Sequence, residues 1–424
     1  MFSIGGEPGS SLGRRFHLLC VSVTVSAFGD GMRFVALPLL AAGITGDPRD
    51  VTLVATAEHL PWLLLSLPAG ALADRMDRRR LLFLVDMLRA VLVGGLVLAM
   101  AVGAVSVPLL AVVGFLLGCG QTFYNAGWVG AVPSVVAPGH RARANGRLQA
   151  GALVAEPLLG APLGTVLFAA AVSAPFVLDA ISFAAAALLV LGIRDGLGGV
   201  PRAERVTERR GSAVRHLCAE AGEGVRRLWR HRVLRALCLA ACATNLVAGG
   251  VISVLVLYTR NVLHLGAEGY GALVAVFAVG GVLGSLAASR SAARLGSGWV
   301  LIAGPIGAAA ALAGAGRFKS LLLVGICTFL WGALSMAYGI VAVSVRQGLV
   351  PEGLMGRVGM AHQMLANSGT AVGAALAGVL AHGFGLRSPF LAGAALLAVT
   401  GLLLVPVVRR GADAAEPVPA SASG

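Results

Sequence analysis

Residues 70–80 read GALADRMDRRR, and six charged side chains occupy the seven positions from Asp74 to Arg80. Long apolar runs flank this stretch on both sides, Val51 to Leu72 before it and Leu81 to Val105 after it. Charges at this density cannot lie in lipid hydrocarbon, because nothing there solvates them. The stretch is therefore predicted to be a short loop at a membrane surface that joins two spanning helices.

The composition extends this prediction to the whole chain of 424 residues, which is 57% hydrophobic and 12% charged, with a mean hydropathy of +0.86. Apolar runs of about 20 residues recur, which is the length that a helix needs to cross a bilayer. A transmembrane β-barrel would instead show alternating segments of about ten residues. We predict an all-α membrane protein with twelve transmembrane helices in two six-helix bundles. The spans are expected at roughly 17–43, 51–73, 81–105, 107–132, 145–170, 173–193, 235–262, 268–292, 298–316, 319–345, 357–383 and 387–408.

The domain boundaries follow from the only sizeable polar segment, residues 194–234, which separates six spans from six. Its last part alternates apolar and charged side chains as an amphipathic surface helix does. We expect an N-terminal bundle at 1–193, a cytoplasmic linker with an amphipathic helix at 194–234, a C-terminal bundle at 235–410 and a disordered cytoplasmic tail at 411–424.

An internal repeat supports this division. The pairs Val132-Pro133 and Val350-Pro351 each precede an arginine and then a helix rich in Gly and Ala, and the two prolines are 218 residues apart, about half the chain. Parallel repeats joined by a central linker are typical of transporters in which two halves move about a site near the bilayer midplane.

The distribution of basic residues predicts the orientation. Counting Lys and Arg near span ends gives 27 on the side of the two termini and 5 on the opposite side. Because basic residues accumulate on the cytoplasmic side, both termini are predicted to lie in the cytoplasm. The net charge of +14 has the same cause and does not indicate nucleic-acid binding.

The charged loop resembles the signature of the major facilitator superfamily between its second and third spans, with Gly70, Asp74, Arg75, Arg78 and Arg79 at the matching positions. Asp77 stands where the family has glycine. The resemblance implies a secondary transporter in which this loop acts as a conformational latch. Asp74 would cap a helix or pair with an arginine in one state, and its candidate partners are Arg141, Arg143 and Arg357.

Further short stretches of the sequence resemble those of the bacterial efflux branch of this superfamily, which contains enterobactin exporters and macrolide efflux proteins. They include Phe28 to Met32, Ala144 to Gly146 and Pro175 to Ala180. Where many antiporter relatives carry an intramembrane arginine in span 4, this chain has Gly118 to Gln121. The residues that couple protons to transport in those antiporters are therefore not assigned directly to positions of this chain.

Charged residues inside spans are costly, so each is a candidate for function. The proton-coupling candidates are Asp30, Glu156 and Glu58. Arg33, one turn from Asp30, either neutralises it or lines the substrate cavity. Asp86 and Arg89 are expected to form a structural ion pair, and Asp179, early in span 6, to cap its helix.

Aromatic and polar residues of spans 4, 7, 10 and 11 could line an apolar pocket with a few hydrogen-bonding groups, although each of them could also simply pack. With Arg33, the substrate-cavity candidates are Phe123, Tyr124, Asn125, Asn245, Tyr258, Trp331, Tyr338, Gln363 and Asn367. Pairs of glycines such as Gly160 with Gly164 are expected to permit close helix crossings.

These features predict a monomeric, multi-pass protein of the inner membrane that exports small amphipathic molecules, such as drugs, siderophores or other natural products, by proton antiport. A proton-coupled importer of the same fold and a transporter-like membrane sensor without transport are the alternatives. The expected partners are a small-molecule substrate, protons and membrane lipid. No phosphate-binding loop, cofactor motif, metal-ligand set or catalytic triad is found in the sequence, so we expect no enzyme.

Overall fold

The computed structural model describes residues 13–137, 140–193, 226, 228–350 and 355–413. The helices of the first half are α1 (Arg14–Ile44), α2 (Pro48–Arg75), α3 (Arg78–Ala101), α4 (Val107–Val135), α5 (Arg141–Leu153), α6 (Ala161–Ala170) and α7 (Ala174–Leu191), with a π-helical segment, Val154–Gly160, between α5 and α6. Those of the second half are α8 (Arg232–Asn261), α9 (Ala267–Leu295), α10 (Ser297–Arg317), α11 (Leu321–Leu349), α12 (Met355–Phe384) and α13 (Ser388–Asp413).

Each of the twelve expected spans coincides with a helix, the fifth being α5, the π segment and α6 in series. Within the described ranges, eleven helical stretches are long and apolar enough to cross a membrane. The remaining expected span, α2, is a 28-residue helix with Glu58 and His59 in its middle. The prediction of an all-α, multi-pass membrane protein is confirmed.

The described helices form two compact units. The first comprises Met1–Ala36, Pro68–Ala104 and Cys119–Ala213. Here α3 packs along α7, and a buried cluster that includes Phe16, Leu82 and Leu148 fills the interior.

The second unit comprises Leu37–Leu67, Val105–Gly118 and Val214–Gly424. In it α8 packs along α12, α9 against α11, and α10 against both α11 and α13. The division of the chain into bundles at 193 and 235 stays a prediction. Most of the predicted linker, at 194–225 and 227, and the tail from 414 onward lie outside the described residues, while 411–413 belong to α13.

The charged stretch at 70–80 forms the end of α2, a two-residue turn and the start of α3. Asp77 caps α3, because its side chain accepts a hydrogen bond from the backbone N–H of Arg79 at 2.9 Å. A capping carboxylate satisfies a helix donor that would otherwise lack a partner. The aspartate that replaces the family's glycine therefore has a local structural role.

Two glycines mark helix crossings where the backbones almost touch. A Cβ atom at Gly164 would lie 2.6 Å from the Cα of Met32, and one at Gly369 would lie 2.6 Å from the main-chain oxygen of Cys242. Both distances are shorter than any allowed contact, so only glycine fits. The crossings of α1 with α6 and of α8 with α12 depend on these positions.

Candidate functional site

Five charged side chains lie together inside the first unit, which we call the charge cluster. They are Asp30 and Arg33 on α1, Asp86 and Arg89 on α3, and Asp179 on α7. Asp30 is 6% exposed, Arg33 is 5% exposed, and the other three are fully buried. Each lies in a membrane-spanning helix, so the cluster is a site of several charges removed from water.

Asp30 is the centre of this cluster. Its Oδ1 atom accepts a hydrogen bond from Nη2 of Arg33 at 2.7 Å and another from Nη2 of Arg89 at 2.8 Å. The contact with Arg33 is the one that their spacing on one helix predicts. The contact with Arg89 ties α1 to α3, and no sequence spacing indicates it.

Arg89 is enclosed by side chains from two further helices. It donates to Oε1 of Gln121 on α4, and its guanidinium carbon lies 4.2 Å from the ring centre of Phe183 on α7 and 5.7 Å from that of Tyr124. Cation–π contacts of this kind strengthen when water is excluded. Gln121 occupies the region of span 4 where many relatives carry an arginine, and here it accepts from one.

Asp86 has the longest ion-pair distance of the three carboxylates in the cluster. Its Oδ1 lies 3.4 Å from the hydroxyl of Ser26 and 3.6 Å from Nη1 of Arg89. Its Oδ2 is buried and has no hydrogen-bond partner within the part of the chain that the structure describes. The expected ion pair with Arg89 is thus present at a long distance only, because Arg89 directs its hydrogen bonds to Asp30 and Gln121 instead.

Asp179 lies 3.4 Å from Nε of Arg33 through its Oδ2 atom. The expectation that it caps its helix is wrong, because α7 begins at Ala174, five residues before Asp179, and its capping position is Ser173. The carboxylate instead faces α1 across the helix contact near Gly29.

The charges in the cluster do not balance. Three carboxylates and two guanidinium groups carry a formal net charge of −1 when all are ionised. Burying ionised groups is expensive, and one bound proton would bring this formal charge to zero.

Glu156, a proton-coupling candidate, lies on the π segment, where Pro157 lacks the backbone N–H that a regular helix uses. Its side chain is exposed. The main-chain oxygen of Glu156 faces Gly31 of α1 so closely that a Cβ there would clash. Single π-helical turns occur frequently at functional sites.

Glu58, the third candidate, is partly buried on α2 and lies in the second unit, apart from the charge cluster. Its main-chain atoms lie against Gly118 of α4.

The cavity candidates separate into two kinds. Tyr258 donates to the main-chain oxygens of Ala315 at 2.6 Å and of Phe318 at 3.3 Å, so it ties α8 to the end of α10. Tyr124, Trp331 and Tyr338 are each 3% exposed and pack in the interior.

The other cavity candidates are less buried. Nε2 of Gln363 donates to Oδ1 of Asn367 at 3.3 Å on one face of α12. Asn125 accepts from the indole N–H of Trp128 at 2.9 Å on α4, and Phe123 and Asn245 are half-buried.

Of the latch residues, Gly70, Asp74 and Arg75 lie on the last turns of α2, and the side chains of Asp74 and Arg75 lie outside the described part. The side chain of Arg78 lies against Gly130 of α4, where a Cβ would approach its Nε to 2.7 Å. Arg79 donates to the main-chain oxygen of Leu191 at the end of α7.

At the opposite end of α2, the segment from Ala42 to Arg49 contacts helices of the second half within the second unit. We call this the hairpin contact. Nη1 of Arg260, in the last turn of α8, donates to the main-chain oxygen of Ala42 at 2.7 Å. Nδ1 of His382, near the end of α12, lies 3.2 Å from Oδ1 of Asp47. The sequence gives no signal for either pairing, since the partners lie in different halves.

The electrostatics of the hairpin contact depend on Asp47, which lies outside the spans. The backbone N–H and then the guanidinium of Arg49 donate to its carboxylate at 2.9 and 3.3 Å, and they lower the pKa of Asp47 below its ordinary value. Asp47 is therefore a carboxylate throughout the physiological pH range. Beside Arg260, a cavity of about 220 Å³ is lined by Ala42 to Gly46, Leu257 and Asn261.

Comparisons with known proteins cover nearly the whole chain. Residues 19–369 and 237–423 match the model of the family described as the Major Facilitator Superfamily. The multidrug efflux pump Tap of Mycolicibacterium fortuitum is 28% identical over 406 residues, which are 92% of this chain and 94% of that protein. The uncharacterized MFS-type transporter YfiS of Bacillus subtilis is 26% identical over 397 residues, which are 91% of each chain.

Among solved structures, a bacterial homolog of the human lysosomal transporter Spinster, in an inward-facing and occupied conformation, aligns with a TM-score of 0.76. It is 15% identical, and the alignment covers 97% of this chain and all of that one. Structural similarity at this low sequence identity supports a shared fold and nothing about function. The expected resemblance to a bacterial efflux transporter is confirmed by these matches taken together.

Proposed function

Because this chain belongs to the Major Facilitator Superfamily, we propose that it exports small amphipathic molecules from the cytoplasm in exchange for protons. The observation that carries this proposal is the charge cluster, with three buried carboxylates, two arginines and a net charge of −1 inside the first unit. Ionisable groups inside a membrane-spanning bundle are typical of proton pathways. Burying such a set for structural purposes alone would cost stability, because well-packed apolar residues serve packing better.

Proton uptake by the cluster provides the coupling. A bound proton changes its net charge from −1 to zero, and this favours arrangements of α1, α3 and α7 that the ionised cluster disfavours. Uptake on one side of the membrane and release on the other then ties each proton to one conformational cycle. Glu156 and Glu58 remain candidates for the path by which the proton enters or leaves.

The substrate class is supported within each unit by half-buried polar and aromatic groups, which suit a mostly apolar molecule with one or two polar groups. Those groups are Phe123 and Asn125 in the first unit and Asn245 and Asn367 in the second, where the exposed Gln363 lies beside Asn367. The similarity to a protein named as a multidrug efflux pump favours the same class.

The location proposed is the inner membrane, with both termini in the cytoplasm, on the strength of the 27-to-5 distribution of basic residues. In this orientation the charged stretch at 70–80 is cytoplasmic and the hairpin contact is external.

The proposal is tested in everted membrane vesicles with a fluorescent amphipathic dye such as ethidium. We expect the vesicles to take up dye when their interior is more acidic than the medium. Collapsing this pH gradient should abolish the uptake. Asp30→Asn should abolish this uptake, whereas Glu268→Gln, which changes an exposed carboxylate in the first turn of α9, should not.

Two results would overturn the proposal. Uptake at the normal rate without a proton gradient would exclude proton antiport. Gradient-dependent accumulation of the dye in intact cells, rather than in everted vesicles, would show an importer.

A further inference from the structure

We infer that Asp86 is the carboxylate that binds the coupled proton, and that Arg89 switches between Asp30 and Asp86 as the proton binds and leaves. This inference rests on the proposed proton antiport and assigns its steps to atoms. It reverses the expectation from the sequence, in which Asp86 and Arg89 form a fixed ion pair.

The three carboxylates of the cluster differ in how well their negative charge is compensated. Asp30 accepts two charge-assisted hydrogen bonds, at 2.7 and 2.8 Å, and Asp179 has Nε of Arg33 at 3.4 Å. Asp86 has only a hydroxyl at 3.4 Å and a guanidinium nitrogen at 3.6 Å, both beyond or at the limit of a hydrogen bond. Asp179 is paired with Arg33, although neither of its oxygens accepts a hydrogen bond from the described residues, so the distance to the nearest guanidinium nitrogen distinguishes the three. That distance is 2.7 Å for Asp30, 3.4 Å for Asp179 and 3.6 Å for Asp86, and it favours Asp86 as the carboxylate that gains most from a proton.

The position for that proton is Oδ2 of Asp86. This atom is buried, and no donor or acceptor among the described residues reaches it. A proton there leaves Oδ1 facing Ser26 and Arg89, so binding disrupts no existing hydrogen bond.

Arg89 is placed to respond. Its Nη2 atom donates hydrogen bonds to Asp30 and Gln121, while its Nη1 and Nε atoms have no hydrogen-bond partner in the described structure. Nη1 would need to approach Oδ1 of Asp86 from 3.6 Å to the 2.8 Å that Nη2 has with Asp30. In the proposed switch, a rotation of the guanidinium beside the ring of Phe183 shortens this distance.

Two arrangements of the same atoms result. In the first, Arg89 and Arg33 both bind Asp30, and Asp86 carries the proton. In the second, Arg89 binds Asp86, the proton leaves Asp86 for water, and Arg33 alone neutralises Asp30. The O–H bond of Asp86 is the one covalent bond that breaks, and the hydrogen bond from Nη2 of Arg89 to Asp30 is exchanged for one from Nη1 to Asp86. The formal net charge of the cluster changes from zero to −1.

The switch changes the contact between two helices. Asp86 and Arg89 both belong to α3, whereas Asp30 belongs to α1, so only the first arrangement holds α1 against α3 through an ion pair. The polar and charged groups near Asp86 are Ser26 and Asp30 from α1, Arg89 from α3 and Tyr124 from α4. From α7, Asp179 lies beside Arg33, and Phe183 lies beside Arg89.

The test measures proton release in purified protein, without any gradient. Ethidium is added to weakly buffered, detergent-solubilised protein that contains a pH indicator. We expect wild-type protein to release about one proton per bound dye, and its dissociation constant for the dye to rise by up to about tenfold per pH unit on acidification. Asp86→Asn should bind the dye with no proton release and no pH dependence.

Infrared spectroscopy provides a readout that does not depend on the dye. The carbonyl band of a protonated carboxylic acid should be present in the wild type at neutral pH and absent from Asp86→Asn. Asp86→Glu, which keeps a titratable carboxyl, should retain the band and the pH dependence. Glu268→Gln serves as the control, since it removes an exposed carboxylate outside the charge cluster.

The outcomes separate the two proposals. If wild-type protein binds the dye without releasing a proton, proton antiport itself fails. If Asp86→Asn still releases a proton and keeps its pH dependence while Asp30→Asn does not, Asp30 is the proton carrier and the present assignment is overturned. If Asp86→Asn does not fold, the infrared band in wild type and Asp86→Glu decides, because its absence from both excludes a protonated Asp86.

Discussion

Nη2 of Arg89 lies 2.8 Å from Oδ1 of Asp30, although Asp86, one turn away on the same helix as Arg89, is the nearer carboxylate in sequence. The contact joins α1 to α3 inside the bundle, and Arg89 is fully buried. Arg89→Ala leaves three buried carboxylates with one guanidinium. We expect it to lower the free energy of unfolding by about 3–5 kcal/mol, measured as loss of thermal stability in detergent.

Arg89→Lys is the matched variant, because it keeps the charge and loses the planar group that reaches Asp30, Gln121 and the ring of Phe183 together. It should fold more stably than Arg89→Ala and still couple poorly. Equal stability of wild type and Arg89→Ala would show that the contact with Asp30 contributes nothing to the fold.

The hairpin contact is expected to protect residues 42–49 from hydrogen exchange. Nδ1 of His382 lies 3.2 Å from Oδ1 of Asp47, and the N–H groups of Arg49 lower the pKa of Asp47, so that this residue is a carboxylate at neutral pH. Asp47→Asn removes the charge that faces His382. We expect at most about fivefold weaker protection of residues 42–49 at pH 7, because the pair lies at the surface.

His382→Ala should weaken this protection by a similar amount, since both variants remove one partner of the same contact. Hydrogen exchange at the wild-type rate in both variants would show that the contact does not hold the segment in place.

The crossing of α1 with α6 is expected to tolerate no side chain at Gly164. Gly164→Ala places a Cβ 2.6 Å from the Cα of Met32, so the helices must separate. We expect a loss of about 1–3 kcal/mol in stability. Gly94→Ala is the control, because nothing lies within 4 Å of a Cβ at that position of α3, and it should be neutral or stabilising. Similar melting temperatures for both variants would contradict the close crossing.

Tyr258 distinguishes packing from substrate contact. Tyr258→Phe removes the hydroxyl that donates to Ala315 and Phe318, and it should cost about 1 kcal/mol of stability with dye affinity unchanged. Gln363→Ala, on an exposed position of α12, should instead weaken dye binding and leave stability within experimental error. The reverse pattern, measured by dye titration and thermal melting, would exchange the two roles.

The latch prediction is tested at Asp74. Asp74→Asn should impair dye export in everted vesicles while membrane insertion and folding remain intact, because the change removes only one of the six charges in this stretch. Arg80→Gln, at an exposed position of α3 in the same stretch, is the control. Normal transport by Asp74→Asn would leave the stretch a topological role only.

The sequence was sufficient for the architecture because hydrophobic runs and flanking arginines are local signals. Every expected span is a helix, and the spacing of Asp30 and Arg33 predicted their pairing. The partnership of Arg89 with Asp30 could not be predicted, since it depends on how α3 packs against α1. The same holds for Arg260 with Ala42 and for His382 with Asp47, whose partners lie more than 200 residues apart. The position of Asp179 near the start of its span favoured a helix cap. Its contact with Arg33 depends on how α7 packs against α1, which the sequence does not indicate.

The net charge of the cluster has a consequence for the driving force. Moving one elementary charge through a potential of 100 mV is worth about 2.3 kcal/mol. A monovalent cation that replaces the proton would compensate the cluster equally well, so the exchange would carry no current and would be driven by the pH difference alone. A neutral molecule exchanged for the same proton would be carried electrogenically. Valinomycin with potassium, which abolishes the membrane potential, would therefore slow the export of uncharged compounds more than that of cationic compounds. This difference follows from the formal charge of −1 on the three carboxylates and two arginines.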